Sequence, residues 1–216
     1  MKSHESNATI TPKDLESIQK LIKLVELINN RLLIYIYEKN GKLTHLKYSF
    51  KKQNIQHLTG VLYKGTLHSG SIFYKHIKSK KARLSDFSLR PDGTSRQKLA
   101  VLPQIENIIT QNIKIGDAHI LFEKYNVEAS IGNRSFALLL DENTRETNGQ
   151  HIYIPKSFIN TSKNQKVTNS YTPIVIFSPS DSRHNFMSVY YLNQHTKQHP
   201  IEEIITYMDS INKKNQ

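Results

Sequence analysis

The sequence contains no cysteine and no tryptophan. Without thiols it has no disulfide, no thiolate zinc site and no cysteine nucleophile, which agrees with a reducing compartment. Aromatic character rests on 11 Tyr and 8 Phe, and the 216 residues hold only 8 Gly and 7 Pro. That sparseness excludes fibrous and low-complexity chains, and the length is ample for a sizeable core. Long apolar runs are absent too. The longest, Leu32 to Tyr37, falls far short of the ~20 residues that span a membrane. The polar start Met1-Lys2-Ser3-His4-Glu5 leads into no apolar signal segment. The expectation is a cytoplasmic protein with no membrane association.

Negative charge is also scarce. Asp and Glu number 18 against 30 Lys and Arg, a formal charge of +12. Such an excess suits a polyanion, because cations that neutralise phosphates release condensed counterions. It would equally suit an acidic protein partner.

The pattern along the chain predicts one α+β domain over residues 11–212 behind a flexible tail of residues 1–10. Thr11-Pro12 reads as N-cap and first helical position, and Leu15, Ile18, Leu21, Ile22 and Val25 follow helical spacing. Leu32–Tyr37 and Leu43–Phe50 flank Asn40-Gly41, which makes a β-hairpin. A loop or short helix is expected near Gln56–Gly60, and helices over about 71–80 and 95–112. Pro103 should kink the second or split it.

Beyond Ala118 the period changes to strands, with candidates at 119–124, 127–131, 135–141, 150–154, 173–177 and 186–192. Residues 200–212 form a last helix, with Glu202 and Glu203 early and Lys213 late, as the helix dipole favours. Helices first and strands later point to N-terminal helices and a hairpin packed with a mostly antiparallel sheet of four to five strands, then a C-terminal helix.

No phosphate-binding glycine loop, dinucleotide fingerprint, His-Glu-x-x-His pair or Gly-x-Ser-x-Gly elbow occurs. His195 and His199 are four apart but have no carboxylate spaced to complete a ligand set. Neither metal nor cofactor is therefore expected. Three segments carry candidate chemistry. In Gln56-His57-Leu58-Thr59-Gly60, His57 is either a general acid or base or simply a loop-capping residue. Arg96 and Lys98 stand near a helix start, where they either face a phosphate or form a solvated basic face. Tyr153, Lys156 and Ser157 surround Pro155 at an expected strand end. They either bind RNA phosphate and stack a base, or blunt an ordinary sheet edge.

The order of these segments, with Gln56-His57-Leu58-Thr59-Gly60, Ser71-Ile72-Phe73-Tyr74 and Tyr153-Ile154-Pro155-Lys156-Ser157, resembles a phage-associated nuclease family of the barnase, EndoU, colicin and RelE grouping. The resemblance runs from about residue 31 to 192. It implies helices packed on an antiparallel sheet and a metal-independent endoribonuclease, commonly a toxin or abortive-infection effector. His57, Lys98 and Ser157 would be the catalytic residues, and Arg96, Tyr153 and Lys156 would contact substrate. RNA supplies its own nucleophile, so the protein needs a proton acceptor, a donor and positive charge at the phosphate. RNA is thus the expected partner, with an antitoxin or immunity protein as a possible second. Two other functions fit the same charge, a non-catalytic nucleic-acid-binding regulator and a module that acts on an acidic protein.

Overall fold

The computed structural model describes residues 9–28, 31–64, 69–117, 127–142, 151–161, 170–180, 187–193 and 199–213. The first helix, α1 (Pro12–Leu27), opens on a reciprocal cap. Asp14 N–H donates to Thr11 Oγ1 at 3.2 Å, and Thr11 N–H donates to Asp14 Oδ2 at 2.8 Å. Strands β1 (Leu32–Lys39) and β2 (Lys42–Ser49) then pair without a slip from Leu32↔Ser49 to Lys39↔Lys42. Their turn is left-handed at both central residues, with φ 53° at Asn40 and 74° at Gly41. That conformation matches strand twist and explains the Asn-Gly pair.

Helix α2 (Asn54–Thr59) follows β2 almost at once. A two-stranded ribbon joins β3 (Leu62–Tyr63) to β4 (Phe87–Ser88), and α3 (Gly70–Lys78) lies between them in the chain. Helix α4 (Thr94–Val101) gives way at Leu102 to a 3₁₀ stretch, Leu102–Ile109. Pro103 stands at that change, as a residue without an N–H donor should. The remaining strands are β5 (Lys114–Asp117), β6 (Ala129–Gly132), β7 (Phe136–Glu142), β8 (Ile152–Asn160), β9 (Ser170–Tyr171), β10 (Pro173–Ser178) and β11 (Ser188–Leu192), and α5 (Ile201–Lys213) follows.

Among the described residues the large sheet has nine strands, in the order β11-β10-β1-β2-β8-β7-β6-β5-β9. The expected four to five strands are therefore too few. The sheet grows because the hairpin is not a separate layer. β1 pairs with β10, and β2 pairs in parallel with β8, which joins the N-terminal hairpin to the C-terminal strands. β5 begins before the change of period at Ala118, and the candidate strand at 119–124 lies outside the described residues. The sheet also curls. Tyr171 of edge strand β9 stacks on Tyr37 of β1 with ring centroids 5.2 Å apart.

Ile18, Leu21 and Val25 of α1, Leu58 of α2, Phe73 of α3 and Leu99 of α4 bury one face of the sheet against Tyr35, Tyr48, Leu138 and Phe158. Ile204, Met208 and Ile211 of α5 cover Ile34, Ile36 and Phe177 on the other face. Ile10, placed by sequence in the tail, is buried in the first of these cores. No described helix is long and apolar enough to cross a membrane.

Pro155 does not end its strand. The pairing Leu139↔Ser157 is followed by Leu140↔Pro155, so Lys156 is an extra residue in β8 with no opposite number on β7. A bulge is one of the few places where a sheet accepts proline.

Tyr35 and Tyr48 are fully buried, and among the described residues neither hydroxyl has a hydrogen-bond partner. Burial pushes both phenol pKa values up. An unpaired buried hydroxyl costs about 1–3 kcal/mol. Tyr35→Phe and Tyr48→Phe should therefore be neutral or stabilising by up to about 1 kcal/mol in chemical denaturation, whereas a loss would mean that these hydroxyls are satisfied.

Candidate active site

The parallel pair β2–β8 is short, limited to Lys47↔Ile152 and Tyr48↔Tyr153. Beyond it β2 leaves the sheet into α2, and α2 and α4 both pack beside the rest of β8. A cavity of about 220 Å³ opens there, lined by His57, Arg90, Thr94, Gln97, Lys98 and the β8 segment Ser157–Ile159.

His57 lies in the last turn of α2, which ends on Gly60 in the left-handed conformation, φ 71°. Its Nε2 stands 2.6 Å from the carbonyl oxygen of Lys156, the bulged residue. A carbonyl can only accept, so Nε2 carries a proton and donates. Partial burial is the main influence that lowers the His57 pKa. The Lys156 bond opposes it, while Lys98 and Arg90 add to the lowering. A neutral imidazole with Nε2 protonated leaves the lone pair on Nδ1.

The cations are held by a hub around Gly60. Its carbonyl accepts from the buried Ser95 Oγ at 2.7 Å and from Arg90 Nε at 3.1 Å. Ser95 Oγ in turn accepts from the Arg90 backbone N–H at 2.9 Å. Lys98 Nζ donates to the His57 carbonyl at 3.1 Å, which fixes it at the C-terminal end of α2. Burial and the nearby Arg90 lower the Lys98 pKa, and Asp92 partly offsets them. Asp92 is itself held by Thr94, whose N–H and Oγ1 donate to Oδ1 at 3.0 and 2.7 Å.

The structure brings together three of the residues singled out by sequence: His57, Lys98 and Ser157. Lys156 contributes its carbonyl, whereas its ammonium pairs with Asp141 at 2.9 Å. Arg96 turns away to α1, where its guanidinium donates to Asp14 at 2.8 Å and to the Thr9 carbonyl at 3.1 Å. Tyr153 packs against the main core opposite Glu142 and does not line the cavity. His199 faces Glu203 at 3.0 Å and Glu38 at 3.6 Å, and His195 lies outside the described residues.

Sequence reasoning passed over Arg90. The signal was its place before Pro91-Asp92-Gly93, a tight turn directly ahead of a helix, where the backbone of a cation is held firmly.

A model of the phage-Barnase-EndoU-ColicinE5/D-RelE like nuclease4 family, PBECR4, matches residues 17–194. This places the chain among nucleases of that type, for which nucleic acid is the substrate. The chain belongs to the PBECR4 family. Comparison with curated proteins and with solved structures gives no significant match.

Two substitutions test the hub. Ser95→Ala removes a buried donor and acceptor and should cost about 1–3 kcal/mol in chemical denaturation. Gly60→Ala places a Cβ 2.9 Å from Lys98 Cδ in a left-handed residue. It should cost about 1–3 kcal/mol and reduce nuclease activity by displacing Lys98. Full activity in Gly60→Ala would show that the added Cβ does not displace Lys98 from its place beside His57.

Proposed function

We propose that this chain is a metal-independent endoribonuclease in which His57 Nδ1 is the general base. The observation that carries the proposal is the His57–Lys156 hydrogen bond. It commits Nε2 as a donor and leaves Nδ1 with a lone pair, in a cavity shared with Arg90 and Lys98.

In the reaction, Nδ1 takes the proton of a ribose 2′-hydroxyl and the 2′-oxygen attacks the adjacent phosphorus. The P–O5′ bond breaks as the new P–O2′ bond forms. Arg90 and Lys98 offset the charge that builds on the non-bridging oxygens, work that a metal ion does in other nucleases. Lys98, an ammonium with a lowered pKa, supplies the proton to the departing 5′-oxygen. Ser157 offers a hydroxyl at the cavity wall to orient the sugar and phosphate, whereas Thr94, whose hydroxyl proton goes to Asp92, can only accept from the ribose. The products are a 2′,3′-cyclic phosphate and a 5′-hydroxyl, and DNA, without the 2′-hydroxyl, resists cleavage. Activity of this kind suits a toxin or abortive-infection effector, with an acidic antitoxin or immunity protein covering the basic site.

His57→Ala should lower RNA cleavage by about 10²–10⁴-fold and leave thermal unfolding close to that of the parent chain. EDTA should have no effect, and a deoxy-oligonucleotide of the same sequence should remain whole. Activity that needs added metal, or that survives His57→Ala, would overturn the assignment.

The pKa directions set a pH profile. The base form of His57 persists below the ordinary imidazole value of 6.5, so the acid limb of kcat/KM should have its midpoint below 6.5. The alkaline limb, from loss of the Lys98 proton, should fall below the ordinary 10.5 of a lysine. A bound phosphate favours the imidazolium, so the acid limb of kcat should lie at higher pH than that of kcat/KM. An acid limb of kcat/KM above 6.5 would contradict the environment described for His57.

A further inference from the structure

The cavity at His57 is smaller than the ~300–1,000 Å³ that enclose a whole drug-sized ligand, so a polynucleotide would place only its reacting portion there. The rest of the strand needs a path across the surface, and the charge distribution marks one. Between Glu38 and Asp86 the sequence has no Asp or Glu but eleven Lys and Arg.

The β3–β4 ribbon links that segment to the site. At one end Gly60 and Arg90 belong to the hub around His57. At the other, Lys64 N–H donates to the Asp86 carbonyl at 2.7 Å. The two residues of β3, Leu62 and Tyr63, stand in the chain between these two ends. Along β3, Tyr63 faces inward against Phe73 and Phe87, while Leu62 is 41% exposed. Lys64, the next residue after β3, is exposed as Leu62 is. Beyond the ribbon, exposed Lys75, Lys80, Lys81 and Arg83 extend the positive surface over the end of α3.

Among the described residues no carboxylate pairs with the side chain of Lys64, Lys75, Lys80, Lys81 or Arg83. The acidic groups nearby are engaged elsewhere, Asp86 with the Arg83 backbone N–H and Glu26 with Lys78 and Tyr74. Lys80 is also held at φ 55°, a left-handed conformation that glycine usually supplies after a helix. There it accompanies the bond from Lys81 N–H to the His76 carbonyl at 3.0 Å that closes α3. A lysine stands where backbone preference favours glycine.

We propose that this ridge, from Leu62 and Lys64 to Lys75, Lys80, Lys81 and Arg83, binds the flanking nucleotides of an RNA strand whose reacting phosphate lies at His57. The assignment rests on the nuclease reading of the cavity. The cations take successive phosphates, and Leu62 offers an apolar platform to a base between the ridge and the site. The substrate is accordingly an extended RNA strand rather than a mono- or dinucleotide.

The test uses the full chain and a variant carrying Lys80→Gly, Lys81→Ser and Arg83→Ser. Lys80→Gly relieves the left-handed backbone, so the variant should melt no lower than the parent chain. With a mixed-sequence single-stranded oligoribonucleotide of about 20 nucleotides, the variant should keep kcat but show KM raised at least about tenfold. In a His57→Ala background, binding of the same probe followed by fluorescence polarisation should lose about 2 units of salt slope. That is close to 0.7 for each of three phosphate contacts.

An unchanged KM and salt slope, with cleavage intact, would overturn the ridge and leave the His57 site standing. Binding that depends on the ridge without any cleavage by the parent chain would sink the His57 site and keep the ridge as an RNA-binding surface. Absence of both binding and cleavage would remove both, as expected if the positive surface serves an acidic protein.

Discussion

A single hydrogen bond, from the His57 imidazole to the carbonyl of Lys156, sets the chemistry of this site. The carbonyl belongs to Lys156, the odd residue of a bulge, which has no opposite residue in the neighbouring strand. Pro155 beside it belongs to the same device, since proline disrupts a regular ladder and is at home where the ladder is already broken. From that bond follow the tautomer, the free nitrogen and the direction in which His57 can work. In the tautomer fixed by that bond, the imidazole can accept a proton but has no second one to give away.

The cations depend on a second arrangement, built on the Gly60 carbonyl. Ser95 and Arg90 both donate to it, so the end of α2 and the start of α4 share one acceptor. Gly60 ends the helix in a conformation that residues with a side chain rarely adopt, and its missing Cβ leaves space for the Lys98 stem. Helix termination and placement of charge are thus the same event. A cluster of His, Arg and Lys loses hydration on burial and, to a lesser degree, repels itself, which is why the pKa values of His57 and Lys98 are both lowered.

Features written in local chemistry were legible in the sequence. The Thr11 cap, the Asn40-Gly41 turn, the break at Pro103 and the last helix with its early glutamates and late lysine each rest on residues a few positions apart. Features that arise only in packing were not. The six residues of α2 are too few to display a helical period. The parallel pairing of β2 with β8 joins segments that share no local signal, so the width of the sheet was underestimated. Pro155 reads locally as a stop and becomes tolerable only through the bulge that follows it. The site residues divide in the same way. His57, Lys98 and Ser157 converge on one cavity, whereas Arg96 is taken by Asp14, a partner 82 positions away that no spacing rule suggests. Membership of the nuclease family, shown over residues 17–194, agrees with the resemblance carried by the short motifs.

The imidazole and the carbonyl that orients it are 99 positions apart in the chain. A ribosome adds roughly 5–20 residues each second. A growing chain therefore exists for several seconds with His57 already made and its orienting carbonyl not yet synthesised. During that interval the helices can form while the imidazole stays free to rotate, so the proposed base takes shape only late in synthesis. Fragments that end before β8 lack the carbonyl that orients the imidazole.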